Sequence, residues 1–80
     1  MSTVIVITGS LGSGKTTAAR LLAERMPDGV HIETDLFYKF FFHPIAPHLP
    51  EADGQNRAAI AASCQAAKAL ALHGYHVVLD

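Results

Sequence analysis

Residues 9–16 read Gly-Ser-Leu-Gly-Ser-Gly-Lys-Thr and fit the pattern G-x-x-x-x-G-K-[ST] at every defined position. This segment constrains the fold because its chemistry works at only one kind of junction. Glycines let the backbone wrap an anion with successive N–H groups turned inward. A helix opening directly behind them adds its positive end. The segment must therefore leave a strand and enter a helix, and both neighbours comply. Val4-Ile5-Val6-Ile7 is apolar and β-branched throughout, the pattern of a parallel strand buried on both faces. Lys15 to about Arg25 then reads as a helix, with Ala19, Leu22, Ala23 and Met26 on one stripe and Arg20, Glu24 and Arg25 opposite. Met26-Pro27-Asp28-Gly29 ends it, since the residue before a proline avoids helix and a glycine suits the turn.

The rest of the chain continues the alternation. Val30 to Thr34 reads as a second strand, and Asp35 to about Phe42 as a short helix with Phe37, Phe40 and Phe41 on one side. His43 to Pro50 carries Pro44, Pro47 and Pro50 and must be a loop. From about Gly54 to Leu72 the sequence is alanine-rich and helix-favouring, with Ile60, Cys64, Ala67 and Ala71 along one face. Gly74 is placed to cap it. Tyr75 to Asp80 is a third strand centred on Val77-Val78-Leu79. The order β-α-β-α-α-β predicts an α/β fold with a parallel sheet. Because the last strand has nothing after it, residues 1–80 are expected to be the N-terminal part of a single longer nucleotide-binding domain.

Composition narrows the setting. Eighty residues hold one small domain, and 50% hydrophobic against 16% charged residues is a globular balance. The net charge is −1 with scattered basic residues, so neither a nucleic-acid nor a membrane partner is expected. A single cysteine, Cys64, excludes an internal disulfide and fits a reducing, cytoplasmic location; its place on the apolar stripe predicts a buried small hydrophobe. The histidines at 31, 43, 48, 73 and 76 lack zinc-ligand spacing.

The chemistry is expected at one edge of the sheet. Gly9, Ser10, Leu11, Gly12, Ser13, Gly14, Lys15, Thr16 and Thr17 form the expected nucleotide site. Lys15 reaches the outer phosphates, and the Thr16 hydroxyl is placed for Mg²⁺. Ligands of open parallel sheets collect beyond the carboxyl ends of the strands, where Asp35 and Asp80 both fall. Asp80 closes an apolar strand, as an acid that holds Mg²⁺ does; the plainer reading is an aspartate starting a turn. Asp35 is either a general base that takes the proton of an acceptor hydroxyl or the N-cap of the following helix. Phe37 and its aromatic neighbours wall a substrate pocket or belong to the core. Arg57 clamps an anionic substrate or stands in solvent; Gln55 and Asn56 are weaker substrate candidates.

The segments GSLGSGKTT, HIETD and YHVVLD together resemble the P-loop small-molecule kinases, and within them the chloramphenicol phosphotransferase and zeta-toxin group. Shikimate and gluconate kinases are similar at a greater distance. The resemblance implies a three-layer P-loop NTPase fold with five parallel strands in the order 2-3-1-4-5, of which the first three are present. It implies ATP and Mg²⁺ as cofactors and a small-molecule hydroxyl as acceptor. Asp35 then becomes the base, Lys15 and Thr16 the phosphate and metal ligands, and Asp80 the strand-end acid. The arginine-bearing lid and adenine-binding loop of such kinases are absent from these 80 residues, so this stretch alone is expected to bind phosphate without turnover. The alternatives are a nucleotide hydrolase, in which water replaces the acceptor, and a non-catalytic nucleotide-binding module.

Overall fold

The computed structural model describes residues 2–9 and 14–80. Its elements are β1 (Val4–Val6), α1 (Lys15–Arg25), β2 (Gly29–Ile32), a 3-10 helix (Thr34–Phe40), a 3-10 turn (Pro50–Ala52), α2 (Asp53–Leu72) and β3 (His76–Leu79). The strands form one parallel sheet in the order β1-β3-β2, with β3 in the centre. Val77 pairs with Val4 on one side and Val30 on the other, Val78 with Ile5 and His31, and Leu79 with Val6 and Ile32.

Side-chain alternation along β3 divides the core between the two faces. Val77 and Leu79 meet Ile32 and Ala67 of α2, with Val30, Phe37, Ala66 and Leu70 packed around them. Val78 points the other way, to Ala19 and Ala23 of α1, with Ile7 and Met26 beside it. Both helices thus present alanines to the sheet, which lets helix and strand backbones approach closely. Continuous apolarity marks the strand buried on both faces, and that strand is β3, where Val77 and Val78 have no exposed surface.

β1 carries the same apolar pattern but is an outer strand of the three and stands as an exposed apolar edge. Val4 is 43% and Val6 61% exposed, because β1 is an edge of the described sheet and α2 packs mainly on β3. The face of α2 keeps Ala67 of its expected stripe but departs from it at Ile60 and Cys64. Ala59, Ser63 and Ala67 are buried, whereas Ile60 is 55% exposed and Cys64 is exposed. The buried line falls one residue away from the most hydrophobic one, since small residues are what the close contact admits. Leu22, expected on the buried stripe of α1, is likewise exposed.

Two turns show why their residues are there. Gly74 has φ 96°, and Tyr75 N–H donates to Leu70 O while Gly74 N–H donates to Ala71 O. These are the paired bonds of a Schellman cap, and the positive φ is what a glycine supplies. At the end of α1, by contrast, the left-handed residue is Asp28, at φ 51°. Gly29 is needed for space: a Cβ there would lie 1.9 Å from the carbonyl oxygen of Ala23. The expected Asp35–Phe42 helix is a 3-10 helix that begins at Thr34 and ends at Phe40.

Candidate nucleotide and phosphoryl-transfer site

Because the three strands are parallel, their carboxyl ends share one edge, and the segment after β1 opens α1 at that edge. Gly14 takes φ 81° at the N-cap of α1, a conformation costly for any residue with a Cβ, and accepts the first helical bond from Ala18 N–H. Lys15 is the first helical residue and Thr16 and Thr17 follow, both exposed. Ser10, Leu11, Gly12 and Ser13 lie outside the described residues.

A cleft of about 520 Å³ runs along this edge. Gly9 and Lys15 line it from the glycine-rich side, Asp80 from the end of β3, and Asp35, Tyr38 and Asn56 from the far side. The structure therefore brings together Gly9, Lys15, Asp35 and Asp80, which are spread over 72 positions of the chain. An apolar floor from Ile7, Ile60 and Leu79 completes the space.

Each acid has a defined setting. Asp80 is fixed through its main chain by the end of β2 and the start of the 3-10 helix, its N–H donating to Ile32 O and its carbonyl accepting from Thr34 N–H. Its side-chain Oδ2 lies 2.8 Å from Nε2 of His31, and the two side chains are 3% and 12% exposed, respectively. Asp35 is exposed and occupies the second position of the 3-10 helix. The N-cap of that helix is Glu33, with no side-chain capping bond, so Asp35 is not the cap. Its carboxylate is free of that duty and lies at the cleft.

The 3-10 helix is tied to α2 at two points. Thr34 Oγ1 donates to Ser63 Oγ at 3.1 Å, and the buried Ser63 donates to Ile60 O at 2.8 Å. Tyr38 donates its hydroxyl to Asn56 Oδ1. Asn56 Nδ2 in turn donates to Pro47 O, and Gln55 bonds both Ile45 N–H and His43 O. The side chains of Gln55 and Asn56 thus hold the proline-rich loop, and Asn56 and Pro47 both wall the cleft. Partial burial, then the negative charge of Asp35, push the Tyr38 phenol above its ordinary value, keeping it a hydrogen-bond donor.

Two expected substrate residues are elsewhere. Phe37 packs into the core beside Ile32, Ala67 and Leu79 and meets Phe40 edge to face at 5.7 Å. Arg57 is 81% exposed and pairs with Asp53 one helical turn before it, at 2.9 Å. Neither lines the cleft. Tyr38 takes the position expected of Phe37, since along a tight helix only one of two adjacent aromatics can face the sheet. His31 was legible only through strand alternation: between Val30 and Ile32 it must face the α1 side, as Asp80 does two positions beyond its pairing partner Val78.

Hard oxygen donors are what Mg²⁺ takes, and it keeps several waters and substrate oxygens besides one or two protein ligands. The Thr16 hydroxyl and the Asp80 carboxylate fit that donor set. Among the described residues no group of three or more histidine, cysteine or acidic side chains lies together, and a cation completed by nucleotide phosphates requires none. No helix among the described residues is long and apolar enough to cross a membrane.

A glycine-lysine turn at a strand-to-helix junction, with a carboxylate on the neighbouring strand end, defines a P-loop type of α/β nucleotide-binding domain. More narrowly, the model of the Zeta toxin family matches residues 2–71, and the chain belongs to that family, whose members are P-loop kinase-like enzymes. No curated protein and no solved structure matches the chain.

Proposed function

We propose that the protein is an ATP-dependent phosphotransferase that moves the γ-phosphoryl group to the hydroxyl of a small molecule. The observation that carries this reading is the single cleft shared by Gly9, Lys15, Asp35 and Asp80. A phosphate-binding turn alone would serve a switch, a motor or a kinase equally. A second carboxylate across the cleft, with no capping duty, adds a group able to take a proton from an acceptor.

In this reading the amides of residues 9–16 and the Lys15 ammonium hold the β- and γ-phosphates. Thr16 and Asp80 hold Mg²⁺, which when bound offsets the charge of the phosphate oxygens. Asp35 accepts the hydroxyl proton and orients the acceptor oxygen in line with the γ-phosphorus. Tyr38, Asn56 and Pro47 form the wall against which the acceptor rests. The parallel order β2-β3-β1 supports the reading of these strands as part of the 2-3-1-4-5 sheet of such kinases, and a cytoplasmic setting follows from an ATP requirement.

The test is nucleotide consumption with and without a panel of hydroxylated acceptors, repeated with Asp35→Asn. Transfer is expected to fall by roughly 10²–10⁴ while Mg-ATP affinity is unchanged. ATP hydrolysis indifferent both to acceptors and to Asp35→Asn would instead mark a hydrolase.

A further inference from the structure

Asp80 is bound three times over to β2 and the start of the 3-10 helix: by its N–H to Ile32 O, by its carbonyl from Thr34 N–H, and by its carboxylate to His31. The first two are main-chain bonds just beyond the strand ends that any residue but proline would make. The third depends on side-chain identity. Val30 and Ile32 face α2 with the core, so alternation sends His31 to the α1 side, where its strand partner Val78 meets Ala19 and Ala23. That surface is apolar, and an imidazole there pays for its desolvation only if a polar partner is in reach. The partner is Asp80, diagonally forward at the carboxyl end of the adjacent strand, with Nε2 2.8 Å from Oδ2. An ionised carboxylate can only accept, so Nε2 carries the hydrogen.

We infer that His31 is a positioning residue for Asp80: it holds Oδ2 and thereby presents the carboxylate to the cation through one oxygen. The inference rests on the reading of Asp80 as a metal-holding acid. Its chemical content is a preference among cations. Mg²⁺ requires near-octahedral geometry, whereas Ca²⁺ readily accepts both oxygens of one carboxylate in a larger, more flexible shell. The hydrogen bond from His31 uses one lone pair of Oδ2 and fixes the carboxylate's orientation, which favours ligation through the other oxygen over the two-oxygen mode. Partners of this kind orient metal ligands, and their loss typically costs about 10–100-fold in metal affinity.

The experiment measures binding of a non-hydrolysable ATP analogue by the purified protein as Mg²⁺ or Ca²⁺ is titrated, in parallel with thermal unfolding. His31→Leu is expected to raise the Mg²⁺ concentration for half-maximal effect by about tenfold or more and to narrow the preference for Mg²⁺ over Ca²⁺. His31→Gln, whose amide nitrogen reaches the place of Nε2, is expected to restore both toward the parent values. His31→Asn, equally polar but too short to reach Asp80, is expected to behave like His31→Leu and supplies the comparison if the leucine variant does not fold. Asn and Gln variants with the same Mg²⁺ requirement as the parent, differing only in unfolding temperature, would overturn the inference and leave His31 as packing. Asp80→Asn separates the two levels: if it leaves the Mg²⁺ requirement untouched, the metal-holding reading of Asp80 falls first.

Discussion

Tyr38 shows how one side chain links the stability of this domain to its cleft. Its hydroxyl donates to Asn56, its ring lies 6.3 Å from that of Phe41, and its phenol is held above the ordinary value of 10.0 by desolvation and then by Asp35. A raised value for an acid that is neutral below it means that folding favours the protonated phenol. The stabilisation is therefore complete below the unfolded value, about 10, and is lost as pH rises through the folded one. Denaturant unfolding at pH 8 and near pH 11 is expected to show a larger loss of stability in the parent than in Tyr38→Phe. Equal losses would mean that Tyr38 does not couple to folding in this range. At the same scale, Ser63 is the one buried polar residue of the described core, and its bonds to Thr34 and Ile60 leave no unsatisfied atom.

At the scale of elements, the connection from α1 to β2 is governed by contact distance. Gly29 N–H donates to Met26 O at 3.0 Å, and the strand starts so close to the helix end that a methyl group would overlap the Ala23 carbonyl. Backbone atoms cannot move aside as a flexible side chain can. Gly29→Ala is expected to cost at the upper end of about 1–3 kcal/mol, lowering Tm by on the order of 10–20 °C for a domain of this size. A calorimetric Tm within a degree or two of the parent would show that α1 can shift. The sequence made the existence of this turn plain, but assigned its glycine to conformational freedom, because distance between elements is not written in local pattern. The same division recurs elsewhere. Helix α1, strand β3 and the Gly74 cap follow from periodicity and turn chemistry and were placed within a residue or two. The face of α2 was misjudged in its middle turns, where hydrophobicity favours Ile60 and Cys64 but Ala59 and Ser63 are buried, Ser63 bonded to Thr34 of the 3-10 helix; Ala67, expected on that face, does pack against Val77 and Leu79. The cleft was half legible: the glycine-lysine turn and both acids were visible as motif and strand ends. Tyr38 and Asn56 were visible as candidates for a substrate wall, but their bond to each other, like the pairing of His31 with Asp80, comes only from helix-to-helix bonding and cross-strand register.

Across the whole molecule, the burial of the sheet is uneven, and that has a consequence for how the 80-residue chain behaves in solution. β3 is covered on both faces and paired on both sides, while β1 pairs only with β3 among the described residues. An apolar groove of about 590 Å³ lies between β1 and α2, lined by Val4, Val6, Ala71 and Leu72 with Lys68 at its side. An edge strand with free backbone groups next to exposed aliphatic side chains is a template for pairing with another chain, and proteins blunt such edges with charge. Val4→Glu puts a carboxylate on that edge within the same groove as Lys68, at a position already 43% exposed. Monomer stability is expected to change by no more than about 0.5 kcal/mol, while concentration-dependent association of the 80-residue chain, followed by light scattering or sedimentation, is expected to fall. Unchanged association would place the sticky surface elsewhere, with the exposed Phe40 and Phe42 the next surface to charge.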